Sequence, residues 1–243
     1  MTRARELPRL AYTALESLKI ERPVQRLDFI QGLVARGVVF DIGALDETAL
    51  ESKKGLGLWL HQRLCANAET VVGIDNSILV PPEGIATAPN GRILRGDIFD
   101  LSPFLKRFGR PDLMVAGEII EHLPDTLSWL RILKAEPGLS GVTLVFSTPN
   151  ACSWHNVLIG CFGKESTHPD HLQIYSYKTL RTLFDRSGLE LQRLVPYHAR
   201  FDEMLGASKG IKKAVILTFQ WFVNMLERVS PGLSAGWIGI VKL

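Results

Sequence analysis

The sequence predicts an α/β fold: a mostly parallel sheet with helices on both faces. Three observations predict it. Short β-rich apolar runs alternate with stretches of helical periodicity through most of the chain. The run VTLVFSTPN is almost continuously apolar, as a strand buried on both faces must be. Acidic or small polar residues stand just after successive runs, at Asp41, Asp75, Asp97, Glu118 and Ser147. With 243 residues, 46% hydrophobic and 22% charged, the chain suits one domain over 1–243 better than two small ones.

The elements follow in order. Helical stretches come first and end near Arg36, since Leu7, Leu10, Ala11, Ala14, Leu15 and Leu18 recur at helical spacing. VVFDIG (38–43) reads as a buried strand entering a turn, with Gly43 supplying backbone freedom. Residues 46–68 read as mostly helical, weakened by Gly55 and Gly57. TVVGID is a second strand, ending at Asp75. NSILVPPEGIATAPNG is dense in turn residues and reads as loop or a short helix. RILRGDIF is a third strand ending near Asp97, and SPFLKRFG a short helix with a Ser cap and a Pro in its first turn. PDLMVAGEIIEH gives a fourth strand and then a helical turn, PDTLSWLRILK a helix, and VTLVFSTPN a fifth strand. Residues 176–187 form a helix, LELQRLVPY a sixth strand and WIGIVKL a seventh. Residues 202–235 are a helical insertion before that last strand, a lid or cap on the closing hairpin.

Composition narrows the function. A formal charge of +3, from 28 basic and 25 acidic residues, does not call for a nucleic-acid partner. Three cysteines without a CxxC pair argue against a disulfide framework and fit a reducing, cytoplasmic setting. The N-terminus lacks the apolar stretch of a signal peptide. The greasiest segment, 214–223, is interrupted by Thr218 and Gln220 and falls short of the ~20 apolar residues that cross a bilayer. The stretch KGIKKAVILTFQWFVNMLERV around it is basic, then apolar and aromatic. It suits peripheral contact with a membrane or a lipid-like acceptor, or a core or dimer-interface helix, and the latter use is the expectation.

Ligands of open α/β sheets bind beyond the carboxyl ends of the strands. Asp41, Asp75, Asp97 and Glu118 all stand there. Each alone could be a helix cap, but recurrence after four strands favours a site. There is no GxGxxG and no GxxxxGK[ST], which points away from dinucleotides and toward a phosphate-poor nucleoside.

The series VVFDIGALD, VVGIDNS, ILRGDIFDL, PDLMVAGEIIEHLPD, LVFSTPN and HLQIYSYKTLRTLFDRSGLEL resembles class I S-adenosylmethionine-dependent methyltransferases. The nearest branch is that of the ubiquinone-biosynthesis O-methyltransferases. The resemblance spans about 38–191 and the last strand, with EIIEHLPD and HLQIYS its most specific parts. It implies a Rossmann-like, seven-stranded sheet whose last strand is antiparallel, pairing WIGIVKL with LELQRLVPY. It implies S-adenosylmethionine as cofactor, with Asp41 and Gly43 on its methionine and nucleoside side. Asp75 would accept from the ribose hydroxyls, Asp97 and Ile98 would meet the adenine, and Gly117 and Glu118 would border the sulfonium. The chain departs from the family at Ala44, Leu45 and Asp46, where more glycines are usual, and at KKGLG, where Lys53 and Lys54 stand available to rebuild the pocket.

Methyl transfer from a sulfonium is an in-line displacement that needs positioning and exclusion of water. A hydroxyl acceptor also needs a base or a metal. Glu118, Glu121 and His122 lie at i, i+3 and i+4 and share a face if that segment is helical; His171 or His168 of THPDH could join them. His122 is the first candidate for base or positioning residue, with Glu121 and His171 beside it. Similar ExxEH segments with a later histidine bind a divalent metal in small-RNA 2′-O-methyltransferases. A divalent metal is therefore open here, next to the reading in which Glu121 and His122 only shape the acceptor pocket. His171 could instead cap the helix near Ser176, and Trp154 and His155 either close over the acceptor or pack at a helix start. The expected function is O-methylation of a small-molecule acceptor. A metal-dependent RNA 2′-O-methyltransferase and a non-catalytic cofactor-binding relative stand as alternatives.

Overall fold

The computed structural model describes residues 17–47 and 50–243. The expected N-terminal helix through Leu7–Leu15 lies outside the described residues, as do Thr48 and Ala49; Leu18 is in irregular chain. The first described helix is α1, Arg26–Gly32. The sheet follows from the apolar runs: β1 Val38–Ile42, β2 Thr70–Asp75, β3 Ile85–Ala88, β4 Gly91–Arg95, β5 Leu113–Gly117, β6 Thr143–Pro149, β7 Glu190–Tyr197 and β8 Gly236–Lys242. Their order is β3-β4-β2-β1-β5-β6-β8-β7. The strands β4, β2, β1, β5 and β6 run parallel. β8 is antiparallel to both β6 and β7, so the reversed closing hairpin is as expected. This is a Rossmann-like α/β sheet closed by a reversed hairpin.

Two expectations are corrected. The sheet has eight strands, not seven. The turn-rich 76–91 segment contains β3, which pairs antiparallel with β4 through the short Pro89-Asn90 turn and carries an irregularity between Ala86 and Ala88. Four residues between turn formers leave too little alternation to read. The 46–68 helix is likewise two, α2 Leu50–Leu56 and α3 Leu60–Cys65, parted where Gly57 takes φ +66°.

Period-two alternation along each strand divides the core. Phe40, Ile42, Val72, Ile74, Met114, Ala116, Leu144 and Phe146 face one layer. There they meet Phe104 of α4 (Ser102–Phe108), Trp129, Leu130 and Leu133 of α5 (Thr126–Ala135), and Leu180 and Phe184 of α7 (Tyr177–Ser187). Val39, Val71, Leu113, Val115, Val145 and Ile238 face the other, with Ile30 of α1 and Leu64 and Cys65 of α3. The expected Ser cap on α4 is instead its first residue, and the Asp100 carboxylate accepts from the Ser102 amide at 3.1 Å. α6 spans Trp154–Gly160 behind a Ser153 cap, so Trp154 opens a helix. The 202–235 insertion holds α8, Asp202–Gly206, and α9, Gly210–Val229. No described helix is long and apolar enough to cross a membrane.

Gly73 is among the strand glycines fixed by space. A Cβ at Gly73 of β2 would lie 2.7 Å from the Ala44 Cβ, 2.8 Å from the Ile93 Cγ1 and 3.1 Å from the His61 Cε1. Overpacking of this kind costs roughly 1–3 kcal/mol. Gly73→Ala is expected to lower stability within that range in urea unfolding; an unchanged midpoint would show that the surrounding loop yields freely.

Candidate functional site

The strand ends open on a cavity of about 520 Å³, within the range of small-molecule sites. Asp41, Gly43, Asp75, Gly117, Glu118, His122 and His171 all line it, together with His168, Arg26, Lys53 and Trp59. Asp97, Ile98, Glu121 and Lys54 do not. Asp97 closes its own turn, its carboxylate accepting from the Phe99 amide at 2.9 Å. Ile98 packs on the core, with its carbonyl accepting from the Trp129 indole.

The glycine-poor loop after β1 is held from three sides. Gly43 takes φ +70°, and a Cβ there would come within 2.6 Å of the Ile119 Cδ1. The Gly43 amide donates to the Ile74 carbonyl at 2.9 Å, and the Trp59 indole donates to the Ala44 carbonyl at 3.0 Å. The Leu45 amide donates to Asp75 Oδ2 at 2.8 Å, and the Ser77 amide to Oδ1 at 2.9 Å. Burial raises the Asp75 carboxyl above its ordinary value despite these bonds. Lys53 pairs with Asp46 across the loop.

Below this loop lies a residue the sequence reading missed. His61 on α3 is fully buried and lines the cavity. Its Nδ1 donates to Asp41 Oδ2 at 2.8 Å, and its Nε2 lies 2.9 Å from the Thr87 hydroxyl of β3. Burial by itself would lower its pKa, but the bond to Asp41, with the Cys65 thiol and the Asp41 charge, lifts it from 6.5 to about 9. The visible signal was one histidine on a segment that also holds Leu60 and Leu64. Nothing in its spacing tied it to Asp41, twenty residues earlier.

The other end of the cavity is built by EIIEH and THPDH. The expected helical face is overturned: residues 118–122 form a bend and turns, not a helix. Glu118 is the one non-glycine with positive φ, +54°, among the described residues, a conformation that costs energy and clusters at functional sites. It is held by its amide, which donates to the Ser147 carbonyl at 3.0 Å. The Tyr197 hydroxyl donates to its carboxylate at 3.1 and 3.2 Å, and Arg26 approaches it at 3.6 Å. Burial, and then the Glu118 charge, raise the Tyr197 hydroxyl well above its ordinary range, so it stays a donor.

Glu121 points inward and is fully buried. The Thr148 hydroxyl donates to its Oε2 at 2.9 Å, while its Oε1 has no partner. Burial and the neighbouring Glu118 charge raise it to about 8, so it is protonated near neutrality. Its carbonyl accepts from the Leu172 and Gln173 amides, which ties the THPDH segment over the cavity. His122 lines the cavity, and its Nδ1 lies 3.2 Å from the Asp170 carbonyl. A carbonyl only accepts, so Nδ1 is the donor in this bond, and Nε2 is not engaged by it. His122, His168 and His171 bring one ring nitrogen each within 4.8 Å of one another. Burial, then the two neighbouring histidines, lower His171 below its ordinary value, which keeps it a neutral imidazole. His171 caps nothing: Ser176 caps α7 with Thr179 in a reciprocal pair.

A second cavity of about 850 Å³ adjoins the first and shares Arg26, Lys53 and Leu58 with it. Tyr197 lines it too, beside Leu56, Phe201, Met204, Arg63 and Lys213.

A nucleoside-sized hollow at the carboxyl ends of a parallel sheet closed by a reversed hairpin defines the class: an α/β methyltransferase. The chain belongs to the methyltransferase-domain family, whose profile matches residues 27–194. Solved structures share the fold at low identity. The small RNA methyltransferase HEN1 is 15% identical, with 96% of this chain matching 27% of that one at a TM-score of 0.56. A SAM-dependent methyltransferase from Thermotoga maritima is 14% identical over 90% of this chain and 87% of its own, at 0.53. One from Mesorhizobium loti is 15% identical over 90% and 96%, at 0.51. No curated protein sequence matches the chain.

The buried Asp41–His61 pair makes a pH prediction. A histidine raised from 6.5 to about 9 on folding stabilises fully below pH 6.5 and loses that contribution as pH climbs through 9. The melting temperature is expected to fall over that window, and to fall less steeply in His61→Gln. Removing one partner by Asp41→Ala should cost about 3–5 kcal/mol. A flat pH profile for the parent chain would mean that His61 is neutral when folded.

Proposed function

We propose that the chain is a methyltransferase that uses S-adenosylmethionine and methylates an oxygen of a small molecule, with His122 as general base. The observation that supports it most is the cavity itself. It has carboxylates at Asp41, Asp75 and Glu118 at the strand ends, and His122, bonded through Nδ1, at the far side. The residues fit the cofactor: Gly43 leaves its cradle open where any Cβ would strike Ile119, and Asp75 offers acceptor oxygens to a ribose diol. The bound cofactor would supply an electrophilic methyl on a cationic sulfur. Glu118, fixed by Tyr197 and Arg26, would set negative charge toward that cation, and His122 would take the acceptor's proton at Nε2. The acceptor would reach this end from the second cavity, whose Tyr197 touches Glu118. Its leucines, Phe201 and Met204, with Arg63 and Lys213, suit an apolar molecule carrying an acidic group. Asp97 and Ile98 remain candidates for the adenine side, although neither lines the cavity.

Two measurements test this. Calorimetry should show S-adenosylmethionine binding at micromolar level, weakened by Asp75→Ala; no heat from the parent chain would favour a non-catalytic relative. Against a library of small acceptors, His122→Ala should lose on the order of 10²–10⁴ in kcat while keeping its cofactor affinity. Loss of cofactor binding instead would remove His122 from the base role.

The three histidines support a second reading, in which a divalent metal sits on His122, His168 and His171. Three imidazoles so close together suit Zn²⁺ and similar ions. A metal there would lower the pKa of an acceptor hydroxyl. The donor set differs from the expected one, because Glu121 has turned into the core. Calorimetry with Zn²⁺ or Mn²⁺ should then show a site that His168→Ala/His171→Ala removes, and EDTA should abolish transfer. Activity that survives EDTA leaves His122 as the base.

A further inference from the structure

We infer that α9 is a docking face for an anionic membrane surface. Its amphipathicity is inverted relative to a core helix. The stripe it buries is Ile216, Gln220, Val223 and Glu227. Two of the four are polar and anchor it: the Gln220 Oε1 accepts from the Phe201 amide at 3.0 Å. Glu227 accepts from His198 Nδ1 at 2.7 Å and from the Ala199 amide at 3.0 Å. The opposite side is apolar and exposed. Ile211, Val215, Phe222, Met225 and Val229 recur at helical spacing, with Ile211 85%, Phe222 61% and Val229 78% exposed. Trp221 beside them is 63% exposed. The face extends onto α6, whose Trp154 ring meets Phe219 at 5.9 Å, and onward to Phe162, 72% exposed.

The charges select the occupant. Every exposed charge from Lys209 to Val229 is a cation: Lys209, Lys212, Lys213 and Arg228. The one acid of the helix, Glu227, lies underneath, bonded to His198. Broad apolar surface with aromatic residues and lysines clustered at the helix start is the composition of helices that lie in the headgroup region. A second copy of this chain fits less well. Helix pairs flank their seam with charges of both signs, and here the flanks are Ala214, Leu217, Phe219 and Trp221. The inference goes beyond the proposed activity and does not depend on it.

Sedimentation of the full chain with vesicles tests it, at low salt, using phosphatidylcholine with phosphatidylglycerol against phosphatidylcholine alone. Binding is expected only to the anionic vesicles, with a blue shift of tryptophan emission. Lys209→Ala/Lys212→Ala should weaken it roughly tenfold to thirtyfold. Trp221→Ser/Phe222→Ser should weaken it more than about tenfold, with the melting temperature of both variants unchanged because the residues are exposed. Failure to bind either vesicle, or equal binding to both, overturns the inference. So does a dimer in solution that the Trp221/Phe222 variant breaks and that ignores vesicles, since the face would then belong to a second copy.

Discussion

The buried pair of Asp41 and His61 is the constraint on which the cavity depends. Asp41 alternates onto the α1 and α3 side of the sheet, where His61 meets its Oδ2. Paired, the two charges tie the end of β1 to α3, and through Thr87 to the edge strand β3. With α3 fixed in this way, Trp59 at its start reaches the Ala44 carbonyl and holds the loop after β1. Gly73 is the space that lets Ala44 and His61 approach. A loop short of glycine is therefore shaped by side chains packed beneath it.

At the far side of the cavity the ordering agent is a different carboxyl. Glu121 is buried as the neutral acid, and its carbonyl rather than its side chain draws the THPDH segment inward. That leaves Glu118 in a strained backbone conformation facing the hollow, with a phenol and a guanidinium to steady it. Two carboxyls three residues apart thus have different surroundings: Glu121 is dry and held as the acid, while Glu118 is bonded to Tyr197 beside Arg26.

The insertion before β8 obeys neither logic. α9 attaches through Gln220 and Glu227 and leaves its greasy side outward. Burial of that side would require a partner surface, and the sheet already has both faces covered by other helices.

The alternation of apolar strands with helical stretches determined a parallel sheet covered on both faces and the placing of Asp41, Asp75 and Glu118 at strand ends, because local pattern fixes which residues must face a core, and the family resemblance supplied the reversed hairpin. Family tokens placed His122 and His171 near one another. Only tertiary structure decided the rest. β3 exists because β4 offers it an edge, and Gly57 ends one helix where the pattern suggested continuity. EIIEH turns instead of coiling because Glu121 is drawn down to Thr148, so an i, i+3, i+4 spacing predicted a shared face that never forms. His61 finds Asp41 only once α3 is laid across β1 and β2. Such contacts join residues far apart in the chain, and no local periodicity records them.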